Sequence, residues 1–115
     1  MSDPSGRLSA EDKKLVTLAR ATRARTGAAE GAAVRDADGR TYAAATVDLP
    51  SLQVSAVGVC VAMAVASGSR GLEAAVVLSE EFDDSDLTVL RDFGGAGVVV
   101  HRGDLTGAIV ETLTT

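Results

Sequence analysis

Residues 49–69 read LPSLQVSAVGVCVAMAVASGS and contain no charged side chain, although Asp48 and Arg70 lie at either end. Pro50 fits the first turn of a helix, where its missing N–H costs no hydrogen bond. Gly68 fits the end of a helix, because glycine accepts the positive φ that often closes the last turn. A helix that is apolar on all sides must be covered on all sides. The stretch therefore predicts a central helix, packed on a sheet and on another helix or subunit.

A membrane span is the alternative interpretation, since about 20 strongly apolar residues can cross a bilayer. Ser, Gly, Gln and Ala dilute the apolar character of this stretch, so we expect no membrane partner. On a helix of about 3.6 residues per turn, the small side chains form one stripe. Its members are Ser51, Ser55, Gly58, Ala62 and Ala66. Such a stripe allows the backbone of a partner helix to approach closely.

The composition limits the classes of protein to consider. The 115 residues suffice for one domain with a real core, and the few aromatic side chains mean that Ala, Val and Leu must build it. The formal net charge of −5 argues against a nucleic-acid partner, because neutralising phosphates takes a basic surface. Cys60 is the single cysteine, so no disulfide forms within the chain. No signal peptide is apparent, and a cytoplasmic protein is expected.

The rest of the chain alternates helix and strand patterns. Residues 1–8 are predicted to be a disordered lead and residues 9–115 a single domain. A helix from Ser9 to about Arg25 precedes a hairpin with its turn at Asp36-Ala37-Asp38-Gly39. After the central helix we predict a buried strand (72–78), a helix (84–93), a second buried strand (97–101) and a final helix defined by Leu105, Ile109 and Leu113. Right-handed crossovers then give a three-layer α/β/α sandwich.

Several segments together resemble the cytidine deaminase family over nearly the whole chain. They are Gly31-Ala32-Ala33-Val34, Asp38-Gly39-Arg40-Thr41-Tyr42, Thr46-Val47-Asp48, Ala64-Val65-Ala66-Ser67-Gly68 and Val89-Leu90-Arg91-Asp92-Phe93-Gly94. The resemblance implies a cytidine-deaminase-like mixed sheet, with a β1-β2 hairpin and parallel strands joined by helices. It also implies a homodimer or homotetramer. We expect the partner surface to be the stripe on the central helix, at Ser51, Ser55, Gly58 and Ala62.

The resemblance implies a catalytic zinc ion as well, and here this sequence departs from the family. In the family, zinc activates the water that attacks C4 of cytosine, while a glutamate shuttles protons. The ligands come from a Cys- or His-Ala-Glu element on the central helix and from a Pro-Cys-x-x-Cys element. Val57-Gly58-Val59 stands at the first element, within a residue or so, and Asp83 and Asp86 stand in place of the thiolates. We therefore expect no metal, no cofactor and no catalytic residues.

These substitutions favour a catalytically inactive member that acts as an oligomeric scaffold or a partner-binding module. Two alternatives stay open: a nucleoside deaminase with an atypical site, and a nucleoside-binding sensor. The resemblance implies ligand-binding roles for two residues. Thr46 replaces the Asn that holds the ribose in the family, and Asp48 keeps a carboxylate where the family has Glu.

The remaining polar residues have structural interpretations beside their functional ones. The carboxylates between Glu80 and Asp86 could bind Mg²⁺ or Ca²⁺. Carboxylates also gather at helix N-termini, because the helix dipole favours anions there. Cys60 fits the core. His101 is the only histidine, and it fits a hydrogen-bonded position at the end of a buried strand better than the role of a catalytic base.

Overall fold

The computed structural model describes residues 8–115, and residues 1–7 of the predicted disordered lead lie outside them. The elements in chain order are α1 (Ala10–Thr26), β1 (Gly31–Asp36), β2 (Thr41–Ala45), β3 (Val47–Leu49), β4 (Leu52–Val54), α2 (Ala56–Ala66), β5 (Leu72–Leu78), α3 (Ser85–Gly94), β6 (Val99–Gly103) and β7 (Ile109–Thr114). Three helices are thus packed with a mixed sheet.

Five strands form the main sheet in the order β2-β1-β5-β6-β7. β1 is antiparallel to both β2 and β5, whereas β5 and β6 are parallel, and β7 returns antiparallel to β6. α3 connects the two parallel strands across one face of the sheet, as a crossover connection must. β3 and β4 form a separate two-stranded hairpin.

Helices cover both faces of the sheet, which confirms the predicted three-layer α/β/α sandwich. Successive side chains of a strand point to opposite faces, so the core is divided in two. Ala33 of β1 and Val76 of β5 pack with Leu15 of α1. The residues that follow them, Val34 and Val77, belong to the core beneath α2 and α3. Because β1 and β5 are buried on both faces, both strands are nearly continuous apolar runs in the sequence.

The central helix is shorter than predicted, because the first residues of its sequence form a hairpin. β3 and β4 pair with each other, and Pro50 and Ser51 lie in the turn between them. α2 begins after Ser55, whose hydroxyl accepts a hydrogen bond from the backbone N–H of Gly58 at 3.0 Å. Ser51 of the predicted stripe is therefore not on the helix. Within residues 8–115, no helix is long and apolar enough to cross a membrane.

The predicted final helix is wrong, because residues 109–114 form strand β7. Leu105, Ile109 and Leu113 have the spacing of one helix face, but IVETLT is rich in β-branched residues, which favour strands. A turn built on Asp104 precedes the strand, and its carboxylate accepts hydrogen bonds from two backbone N–H groups. The turn returns the chain along β6, and the antiparallel pairing then satisfies the backbone of β7.

Candidate functional site

A cleft of about 520 Å³ lies between the β3-β4 hairpin and the N-termini of α2 and α3. Its lining residues are Glu30, Thr46, Val47, Asp48, Gln53, Val54, Ser55, Asp83 and Asp86. Four of these nine residues are carboxylates, and none is Lys or Arg. The negative charge of the cleft therefore favours cationic ligands and repels anions such as phosphate groups.

The N-termini of α2 and α3 are joined directly at this cleft. The Ser55 hydroxyl, which caps α2, donates a hydrogen bond to Oδ1 of Asp86 at 3.0 Å. Asp86 lies in the first turn of α3 and is only 6% exposed. On the neighbouring side, Oε1 of Glu30 accepts hydrogen bonds from the backbone N–H of Ala56 and from the Thr46 hydroxyl, each at 3.3 Å. Much of the polar lining is thus bonded within the protein.

Two carboxylates of the cleft, Asp83 and Asp86, have pKa values shifted in opposite directions. Burial raises the pKa of Asp86, and the nearby charges of Glu30 and Asp83 add to that increase, while the hydrogen bond from Ser55 opposes it. The pKa of Asp83 is lowered, chiefly by hydrogen bonds from the backbone and side chain of Ser85. Asp86 therefore keeps a proton to higher pH than Asp83 does.

Thr46 and Asp48, the two predicted ligand-binding residues, both line the cleft. The Thr46 hydroxyl is already engaged, because it accepts a hydrogen bond from the backbone N–H of Glu30 at 2.9 Å. Asp48 is exposed on β3, with its side chain open to solvent. Ligand binding by these two residues stays a prediction.

The residues that the family resemblance assigns to the zinc-ligand positions do not fit a zinc ion. Val57 is fully buried in the core and has no donor atom, and Asp86 is bonded to Ser55. Over residues 8–115, no group of three or more His, Cys, Asp or Glu side chains is arranged to hold a metal ion. Catalytic zinc sites use three protein ligands. The same finding applies to the acidic residues from Glu80 to Asp86, which do not form a ligand set for Mg²⁺ or Ca²⁺ in the described part of the chain.

Cys60 offers no replacement for the missing thiolates. It is fully buried, and burial raises the pKa of its thiol to about 12. Its sulfur donates a weak hydrogen bond to the backbone oxygen of Tyr42 at 3.5 Å. A thiol in this state is neither nucleophilic nor ready to ligate a metal, which agrees with the predicted core position.

Glu30 is the site residue that the sequence did not single out, although the hairpin register contained the signal. β1 and β2 pair Gly31 with Ala45, so the next pair outward is Glu30 with Thr46. A backbone hydrogen bond from Thr46 N to Glu30 O at 3.2 Å extends the pairing to these two residues. Counting outward from the predicted turn at residues 36–39 brings Glu30 to the correct end of the hairpin but pairs it with Ala45, one residue out of register, because the observed pairing begins at Arg35 and Thr41 and leaves Arg40 in the turn.

Comparisons with known proteins agree with this architecture. The family model described as cytidine deaminase-like matches residues 8–107. The solved cytidine deaminase of Burkholderia pseudomallei superposes with a TM-score of 0.78 at 20% identity, covering 93% of each chain. That of Mycobacterium leprae has a TM-score of 0.71 at 20% identity, covering 92% of this chain and 94% of its own. No curated protein matches the chain in sequence. At these identities, the structural likeness concerns the fold.

Proposed function

Because the chain belongs to the cytidine deaminase-like family, we propose that it is a catalytically inactive member acting as a homo-oligomeric scaffold or partner-binding module. The proposal includes a cytoplasmic location, with which the free, buried thiol of Cys60 is compatible. Activity in the family depends on a metal-bound water and on a glutamate that shuttles protons.

The observation that supports inactivity is the set of side chains at the implied zinc positions. Val57 supplies a hydrocarbon where a ligand is required, and Val59 supplies one where the proton-shuttling glutamate is required. The Ser55–Asp86 hydrogen bond joins the two helix N-termini that would otherwise be joined through a metal. The N-termini of α2 and α3 can therefore be held together without a metal ion.

Metal analysis combined with a deamination assay tests this proposal. For protein purified without chelator and then given excess zinc, we expect far less than one bound zinc per chain and no ammonia from cytidine. The cytidine deaminase of Mycobacterium tuberculosis, treated identically, serves as the positive control. Stoichiometric zinc with release of ammonia would instead establish an atypical deaminase.

The nucleoside-binding sensor has its own supporting observation, since Thr46 and Asp48 lie in one cleft. Calorimetric titration with cytidine and uridine distinguishes it from the scaffold. Saturable heat with the wild type and its loss in Asp48→Asn, without ammonia release, would favour the sensor. The scaffold proposal expects no saturable heat with either nucleoside.

An apolar groove on α2 supports the oligomeric part of the proposal. It is lined by Val47, Leu52, Val54, Val59, Ala62, Met63 and Ala66, which come from the β3-β4 hairpin and one face of the helix. Leu49 and Leu52 on the hairpin are more than half exposed, at 56% and 53%. Exposed apolar side chains that lie next to each other, rimmed by polar residues, are a feature of many protein interfaces. The groove overlaps the predicted stripe at Ala62 and Ala66 and extends it toward the hairpin.

Ala62→Glu is expected to dissociate the oligomer, because it places a charge in the middle of the groove. Gly58→Leu, the change that the stripe first suggests, is less informative. A Cβ at Gly58 would lie 2.9 Å from Cγ1 of Val54 and 3.2 Å from Oγ of Ser55, so it would disturb the helix cap as well. Ala21→Glu, at an exposed position on α1, is the matched control.

Light scattering coupled to size-exclusion chromatography measures the outcome. We expect the Ala62→Glu variant to elute with the mass of a monomer while wild type and Ala21→Glu elute as a dimer or tetramer. Unchanged circular dichroism would show that the fold is intact. An unchanged mass for Ala62→Glu, or a monomeric wild type at all concentrations, would contradict an interface at the groove.

A further inference from the structure

A chain of polar side chains crosses the interface between α1 and the sheet, away from the cleft. Oγ1 of Thr112 lies 2.9 Å from Nδ1 of His101, and Nε2 of His101 lies 2.7 Å from Oδ2 of Asp12. The other oxygen of Asp12 lies 3.0 Å from Nη2 of Arg35. Nε of Arg35 in turn donates to Glu73 at 2.9 Å. α1, β1, β5, β6 and β7 each contribute one residue.

The apolar contact between α1 and the sheet is small. Leu15 and Ala19 are its fully buried apolar side chains, whereas Leu18 is 36% exposed. Asp12, in contrast, is only 2% exposed, and His101 is 0% exposed. An ionised carboxylate at this depth requires the cation Arg35 and the hydrogen bond with His101, and Arg35 equally requires the carboxylate. The polar chain is therefore a large part of what holds the helix in place.

We propose that this chain is a latch that fastens α1 to the sheet, and that protonation of Asp12 opens it, so that α1 detaches before the sheet unfolds. Detachment would expose the strip of small apolar residues under the helix, which includes Ala33, Ala74 and Val76. The cleft and the groove lie on other parts of the domain, so the latch is independent of the proposed function.

Asp12, rather than His101, is the group that opens the latch. Two side chains face Asp12, His101 from β6 and Arg35 from β1. Glu73 from β5 lies on the other side of the Arg35 guanidinium. β2 contributes only the uncharged Ala43 to this core. Neutral His101 can donate to Asp12 and accept from Thr112. Protonated His101 can donate to both, because a hydroxyl also accepts. Both forms of His101 therefore stay fully bonded.

Protonation of Asp12 has no such compensation. It removes the charge that pairs with Arg35, whose Nη1 is buried and has no hydrogen-bond partner in residues 8–115. Burial raises the pKa of Asp12, but the hydrogen bond with His101 and the ion pair with Arg35 outweigh burial and hold that pKa below its ordinary value of 3.8. A carboxyl with a lowered folded pKa stabilises the fold above its unfolded pKa, and this contribution is lost as the pH falls.

Amide hydrogen exchange tests the latch, with rates corrected for the intrinsic effect of pH. In wild type, we expect the protection of α1 to fall as the pH drops below about 4, the ordinary pKa of an aspartate, while that of β5 persists. Asp12→Asn mimics the protonated carboxyl. At about pH 7 it should increase exchange in α1 by at least about tenfold, leave β5 unchanged, and show little further loss on acidification.

Asp38→Asn is the matched control, because it removes the same charge from an exposed ion pair with Arg70. We expect its exchange pattern to equal that of wild type. Equal loss of protection in α1 and β5 would overturn the latch and leave Asp12 a contributor to global stability. Unchanged protection of α1 on acidification would overturn it as well. The wild-type acid series decides the question even where Asp12→Asn does not fold.

Discussion

A variant with Val57, Asp83 and Asp86 all replaced by cysteine is expected to bind one zinc ion tightly. The fold superposes on a solved cytidine deaminase with a TM-score of 0.78, and the 3.0 Å bond between Ser55 and Asp86 shows that α2 and α3 meet at their N-termini. Helix N-termini also favour thiolates through the helix dipole. Under the proposed function, the donor atoms are what the chain lacks at these positions. Three thiolates should contribute about 10 kcal/mol of binding free energy, as in small structural zinc sites.

Competition with a chromophoric chelator measures the zinc affinity, and Co²⁺ gives an independent spectrum with a thiolate charge-transfer band. The matched control is the double variant Asp83→Cys/Asp86→Cys, which keeps Val57. It should bind zinc at least about a hundredfold more weakly, because it supplies one ligand fewer than a catalytic zinc site uses. Equal affinity of the double and triple variants would show that position 57 is not a ligand position. The triple variant alone should not deaminate cytidine, because Val59, the residue that the resemblance assigns to the position of the glutamate, cannot carry a proton.

Most of the fold could be predicted, because buried strands and amphipathic helices have distinct periods. The strand at 72–78 has the predicted bounds, and α1 begins at the predicted cap, where Ser9 accepts a hydrogen bond from the backbone N–H of Asp12. The two errors share a physical cause. Short segments at residues 47–54 and 109–114 form strands because they pair with another strand, and this tertiary choice overrides a weak helical pattern.

The site could be predicted only in part. Thr46 and Asp48 were found through the family resemblance and lie in the cleft. Side chains that meet only through the fold were not found. Asp12 and His101 are separated by 89 positions, and nothing in their local sequence indicates that they touch. Asp12 even fits the pattern of a surface helix cap, although its carboxylate is buried against the sheet.

Gly31→Ala should cause the largest loss of stability of any single methyl group added to this sheet. Gly31 begins β1 beneath α1, and a Cβ there would lie 2.3 Å from the backbone oxygen of Ala19 and 2.6 Å from Cβ of Arg23. A backbone oxygen cannot rotate away, so the helix itself must move. Overpacking of this kind costs about 3 kcal/mol. Alanine also reduces the conformational entropy of the unfolded chain, which stabilises the folded state by less than about 1 kcal/mol. The net change in unfolding free energy therefore stays strongly destabilising.

Thermal unfolding followed by circular dichroism measures the effect, and the melting temperature should fall by roughly 10 to 15 °C for a domain of this size. Ala29→Val is the matched control, because it adds carbon atoms at an exposed position just before β1. We expect that control to change the unfolding free energy by less than about 0.5 kcal/mol. A Gly31→Ala variant that melts with wild type would mean that α1 does not lie against β1 at backbone distance. That result would contradict the close approach of α1 to β1, and therefore also the burial of Asp12 between them.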